Sequence, residues 1–125
     1  MGAPQGTAAS TDMSSITTQT RLWALQRLSA MALSLFVAIH LVGIIMAVRG
    51  GLSAAEILAR TRGNWAVALF YGAFVLACAV HVPIGLARVA EEWLGWRAWP
   101  ANAAAAVAAL LLAILGLRAV YAVVA

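Results

Sequence analysis

The sequence predicts an all-α integral membrane bundle of three transmembrane helices, with a short amphipathic helix between the first two. Three observations carry that prediction. Apolar residues make up 65% of the chain and charged residues 10%, against roughly 45–50% and about 25% in a soluble domain. The apolar residues gather into three runs near the ~20 residues that a helix needs to cross the hydrocarbon core. All five tryptophans flank those runs, at the depth that amphipathic indoles prefer. A chain of 125 residues cannot hide so much apolar surface in a core of its own. Its helices must bury their faces against lipid, one another or partner subunits.

Residues 1–20 are rich in Ser, Thr, Gly and Ala, carry one charge at Asp12, and have no helical or strand period. They are predicted to be a flexible tail, with residues 21–125 forming the membrane anchor. A secretory signal needs a basic segment ahead of an apolar one, and neither precedes Arg21, so the first run reads as an uncleaved span. That span is predicted over residues 28–48 and ends at Gly50-Gly51. Ser53 and Glu56 have capping-box spacing, which predicts a short helix over 54–60 closed near Gly63, with Ile57 and Leu58 on the membrane surface. The second span is predicted over 65–87, with Pro83 removing one backbone hydrogen bond and bending it. Glu91, Glu92, Arg97 and Pro100 mark a polar connector. The third span covers 101–123, where Arg118 snorkels to the headgroups.

Charge excludes other classes. Arginine supplies all eight basic groups of a net +4, but the arginines sit singly at the ends of apolar runs, as interface anchors rather than a nucleic-acid patch. Cys78 is alone in an apolar run, so no disulfide framework exists and a packing role is expected. Arg21, Arg27, Arg88 and Arg97 on one side balance Arg49, Arg60, Arg62 and Arg118 on the other, so the positive-inside rule gives a tie.

Polar groups placed in lipid carry the chemistry, which points to His40 in span one and His81 in span two. Imidazole is neutral at about pH 7 and offers a lone pair to a metal, so either histidine suits a haem iron. Proton relay, quinone contact and a plain interhelical hydrogen bond are the competing roles. At ~100° per residue, Tyr71, Phe74, Cys78, His81, Gly85 and Arg88 share one face of span two, and Ser29, Phe36, His40 and Gly43 share one face of span one. Gly85 leaves room for a flat macrocycle, and Arg88 is placed to pair with a propionate.

Two of these segments carry a family resemblance. Gln26-Arg27-Leu28-Ser29-Ala30 resembles the His-Arg-x-Ser-Gly signature of the cytochrome b (C) membrane-anchor subunit of succinate dehydrogenase and fumarate reductase. His81-Val82-Pro83-Ile84-Gly85-Leu86-Ala87-Arg88 is similar to that family's His-x-x-x-Gly-(I/L)-Arg pattern. Gln26 stands for the usual histidine, Ala30 for the usual glycine, Trp23 for a serine of the quinone site, and Arg88 comes one residue late.

The resemblance implies an anchor that binds haem b and helps form a site for ubiquinone or menaquinone, receiving electrons from flavoprotein and iron–sulfur subunits that perform the dicarboxylate chemistry. It makes His81 an axial ligand and places Arg27 and Ser29 near the quinone and the propionates. It also implies a bacterial inner (cytoplasmic) membrane with the N-terminus in the cytoplasm. Counting from Arg27 and Arg88, His40 lies ~20 Å deep and His81 ~10 Å deep, so the two do not share one iron. His40 is therefore expected to hold a second haem, with the missing ligands supplied by a second anchor or a second copy of this chain. A haem-free quinone anchor, or a small membrane scaffold or transport subunit, remains the alternative, and the sequence leaves quinone type and direction open.

Overall fold

The computed structural model describes residues 6–51 and 53–125, with side chains from residue 15 onward. Four helices follow one another: α1 (Gly6–Gly50), α2 (Ala54–Thr61), α3 (Trp65–Trp93) and α4 (Ala98–Val124). Three of them are long and apolar enough to cross a membrane, at Ser15–Gly50, Trp65–Trp93 and Ala98–Val124. The most apolar stretch of each has no buried residue within the chain. Lipid or another protein must cover these surfaces.

The first helix departs from the sequence reading. Residues 6–20, expected to be an irregular tail, continue α1, while residues 1–5 lie outside the described residues. Once the apolar segment has formed its first turn, each added residue gains a hydrogen bond without repeating the nucleation cost. Thr20 also turns its hydroxyl inward, donating to the Ile16 carbonyl at 2.9 Å. At 1.5 Å per residue α1 is about 67 Å long against a hydrocarbon core of about 30 Å, so it projects well beyond the bilayer.

The chain turns through Gly51, whose φ of 108° disfavours side-chain-bearing residues. The predicted capping box opens α2. Glu56 N–H donates to Ser53 Oγ at 3.3 Å, and Glu56 Oε2 accepts from Ser53 Oγ at 2.6 Å and from Ser53 N–H at 3.1 Å. The far end of α2 and the following loop cap α4. Thr61 Oγ1 donates to the Val123 carbonyl at 2.6 Å, Gly63 N–H to Val124 at 2.8 Å, and Arg62 Nε to Ala125 at 3.1 Å. Helix C-termini leave carbonyls without internal partners, and these three donors satisfy them. Asn64 then caps α3, its Oδ1 accepting from the N–H groups of Ala66 and Val67.

Helix α3 runs through Pro83 and past the predicted end at residue 87 to Trp93. The polar connector shrinks to residues 94–97, turned by Gly95 at φ 65° and tied by Trp96 N–H to the Ala90 carbonyl at 3.0 Å. Helix α3 is the shared partner of the bundle, packing against both α4 and α1. Small residues set the α3–α4 approach: Ala90, Ala101 and Ala105 are buried. A Cβ on Gly116 would lie 2.7 Å from Val75 Cγ1. A larger residue there would require Val75 to shift.

Candidate functional site

Helices α1 and α3 run antiparallel, and their polar side chains meet in a ladder along the seam. At one level Ser29 Oγ lies 3.2 Å from His81 Nδ1, and Ser29 is 8% exposed, the one buried polar residue among those described. At another level His40 Nδ1 lies 3.0 Å from the Tyr71 hydroxyl. An aromatic layer separates the two. Phe36 of α1 stacks on Phe74 at 5.8 Å and meets Phe70 edge-on at 5.4 Å, while His40 meets Phe74 and Tyr71 edge-on. Tyr71 and His81 are about 15 Å apart along α3 at ~1.5 Å per residue, so the two histidines occupy different depths. The separation exceeds the ~10 Å counted from the arginines.

Each histidine therefore commits Nδ1 to a hydroxyl, while neither Nε2 has a protein hydrogen bond among the described residues. That division suits an imidazole ligand, in which one ring nitrogen is oriented by the protein and the other is offered to a metal. No three His, Cys, Asp or Glu side chains gather within reach of a common metal ion among the described residues.

Gly85 faces α1. The space above it is occupied by the Gln26 side chain, whose Nε2 would sit 3.2 Å from a Cβ there. Gln26 Oε1 is buried without a hydrogen-bond partner. The remaining predicted site residues lie toward the same end of the bundle but apart from the histidines' hydrogen bonds. The Arg27 guanidinium sits over the Trp23 ring at 5.1 Å. Arg88 faces Glu91 at 3.8 Å, and both border a hollow of about 260 Å³ with Leu22, Pro83 and Asn102.

Sequence reasoning missed Tyr71 as the partner of His40 and Asn102 as a polar group of that hollow. The first was within reach, because an antiparallel register that pairs Ser29 with His81 also pairs His40 with Tyr71. The second depends on how α4 packs on α3 and leaves no local signal. The larger groove, about 740 Å³ between α3 and α4, is lined by apolar groups such as Val75, Leu112 and Val123 together with Cys78, Tyr71 and Thr61, and by neither histidine.

Fold and seam together define a multi-pass helical membrane protein that holds its intramembrane polar groups between the first two spans. Residues 4–117 match the succinate dehydrogenase/fumarate reductase transmembrane subunit family, and the chain belongs to that family. No curated protein and no solved structure matches it significantly. Membership makes this chain the membrane-anchor subunit of such an enzyme and implies a complex with flavoprotein and iron–sulfur subunits. The family commonly binds haem b and quinone.

Proposed function

We propose that this chain is the cytochrome b anchor of a succinate:quinone oxidoreductase or fumarate reductase, with His81 as an axial ligand of haem b. The observation that carries this reading is the division of labour in the imidazole, with Nδ1 held by Ser29 and Nε2 left without a protein partner in the seam. When bound, haem b supplies a one-electron carrier inside the bilayer. The residues of this chain orient the imidazole, keep the seam apolar around it and hold the helices at a fixed spacing. Arg27 and Arg88 are the candidates for quinone and propionate contacts, while the Ser29 hydroxyl, expected beside the quinone from the resemblance, is engaged by its own helix and by His81. Arg27 and Arg88 are exposed near the end of the bundle where soluble subunits would dock, and each guanidinium can donate two parallel hydrogen bonds to a carboxylate. Ubiquinone or menaquinone would be reached from that side, which we assign to the cytoplasm of a bacterium.

His40 sits at its own depth with its own hydroxyl partner, which favours a second haem over a shared iron. Its missing partner ligand would come from a second anchor or a second copy of this chain. A reduced-minus-oxidised absorption spectrum of the purified complex tests the first ligand, with loss of the b-type signal expected in His81→Ala. Pyridine haemochrome counting tests the second. Two haems in wild type and one in His40→Ala is the expected pair, and one haem in wild type, kept in His40→Ala, excludes the second site. A colourless complex that still reduces quinone would establish the haem-free anchor instead, and one inactive toward quinone would leave a plain scaffold.

A further inference from the structure

We propose that Ser29 is a positioning residue for His81: its hydroxyl fixes the neutral imidazole as the Nδ1–H tautomer and so keeps the lone pair on Nε2. The assignment follows from proton counting. Ser29 Oγ lies 2.6 Å from the Leu25 carbonyl, 3.1 Å from the Gln26 carbonyl and 3.2 Å from His81 Nδ1. A hydroxyl has one proton, and a carbonyl oxygen can only accept. The 2.6 Å contact is within hydrogen-bond range for two oxygens only with a proton between them, so the serine proton is spent on its own helix, shared with the 3.1 Å carbonyl in the three-centre manner common in helices. What remains at Oγ is a lone pair facing His81. The nitrogen opposite it must bring the proton.

Nε2 of the neutral ring is then bare, and it is the nitrogen with no protein partner among the described residues. The burial of Ser29 keeps water from competing for the contact, and its anchorage to two α1 carbonyls transmits the position of α1 to the ring. The other pair differs in this respect. The Tyr71 hydroxyl has no second acceptor among the described hydrogen bonds, so it can either donate to His40 or accept from it, and that ring is not fixed in one form. The hydroxyl lock thus distinguishes the shallower histidine from the deeper one.

The tautomer itself stands on these distances, and its consequence for haem rests on the function proposed above. The first test needs no cofactor. The full-length chain carrying His40→Gln, labelled with ¹⁵N-histidine and placed in lipid nanodiscs, contains a single histidine whose two nitrogens give distinct shifts. A protonated Nδ1 with an unprotonated Nε2 is expected, and Ser29→Ala should mix the tautomers. A protonated Nε2 in the serine-containing chain, or an unchanged spectrum in Ser29→Ala, would overturn the proposal. The serine-containing spectrum decides even where the alanine variant does not fold.

In the native complex, Ser29→Ala should weaken haem retention by about 10–100-fold, the usual loss when the hydrogen-bond partner of a ligand is removed, and raise the midpoint potential because the imidazole becomes a poorer donor. Ser29→Thr, which keeps a hydroxyl able to bond back to the helix, should restore both. Restoration supports the lock, and a threonine variant as defective as alanine counts against it. A complex without haem would refute the cytochrome reading while leaving the nitrogen spectrum to decide on Ser29.

Discussion

Ser53 and Glu56 satisfy each other at the start of α2, and this exchange sets the pH behaviour of that turn. The Glu56 carboxyl is held below its ordinary value, first by the Ser53 hydroxyl, then by the Ser53 N–H and, more weakly, by the Arg60 charge. A depressed folded-state pKa contributes stability that is present above the unfolded value, near pH 4.5, and is lost as pH falls through the lowered folded value. Amide protection at Ser53 and Glu56, followed by NMR, should therefore hold at neutral pH and fade in acid. Ser53→Ala should remove the Glu56 protection at all pH values, at a cost to α2 of about 0.5–2 kcal/mol. Unchanged protection in that variant would show that contact with α4, rather than the cap, holds the turn. The cap was legible because its two residues lie three apart in the chain. His81 was legible too, as an ionisable group in an apolar run. The contact of Gln26 with Gly85 was not, because it depends on how deeply α1 settles into α3.

Between elements, one close approach is made by a residue with no side chain. Gly116 of α4 faces Val75 of α3, and a Cβ there would fall 2.7–2.8 Å from both methyl groups. Between membrane helices the gain comes from packing rather than from water release, so a lost crossing is not offset by other apolar contacts. Gly116→Val should overpack the crossing and destabilise the α3–α4 pair by about 1–3 kcal/mol, read as a lower unfolding temperature of the detergent-solubilised complex. The double variant Gly116→Ala with Val75→Ala should recover most of the loss caused by Gly116→Ala alone, since the two sites touch and their effects are not additive. Additive losses would place the role of Gly116 elsewhere. The spans themselves were readable from hydropathy, but their ends were not. Helix α3 continues to Trp93 and α1 begins by Gly6, because helices propagate beyond the apolar stretch that nucleates them and stop only at a breaker such as Gly95 or Gly51.

At the scale of the whole molecule, three crossings put the α3–α4 connector and the beginning of α1 on one side, and α2 with the end of α4 on the other. The charge count could not orient this arrangement, because four arginines lie on each side. Shape distinguishes the two sides. Helix α1 overshoots the bilayer toward the connector side, where Arg27 and Arg88 lie. The opposite side is closed compactly by Thr61, Arg62 and Gly63 over the last carbonyls of α4. The projecting side offers the surface on which soluble subunits can dock, and under the proposed function it faces the cytoplasm. Cysteines placed one at a time at Glu92 and Ala55, both exposed, in a Cys78→Ser background report the two sides to a membrane-impermeant maleimide. Position 92 should react only in inverted vesicles, unless the docked subunits shield it, and washing those subunits off should then restore labelling. Position 55 should react only in right-side-out vesicles. Labelling of both from one side would break the three-span topology. Exchange of the two patterns would keep the bundle and move the docking surface, and with it the approach to His81, to the opposite face of the membrane.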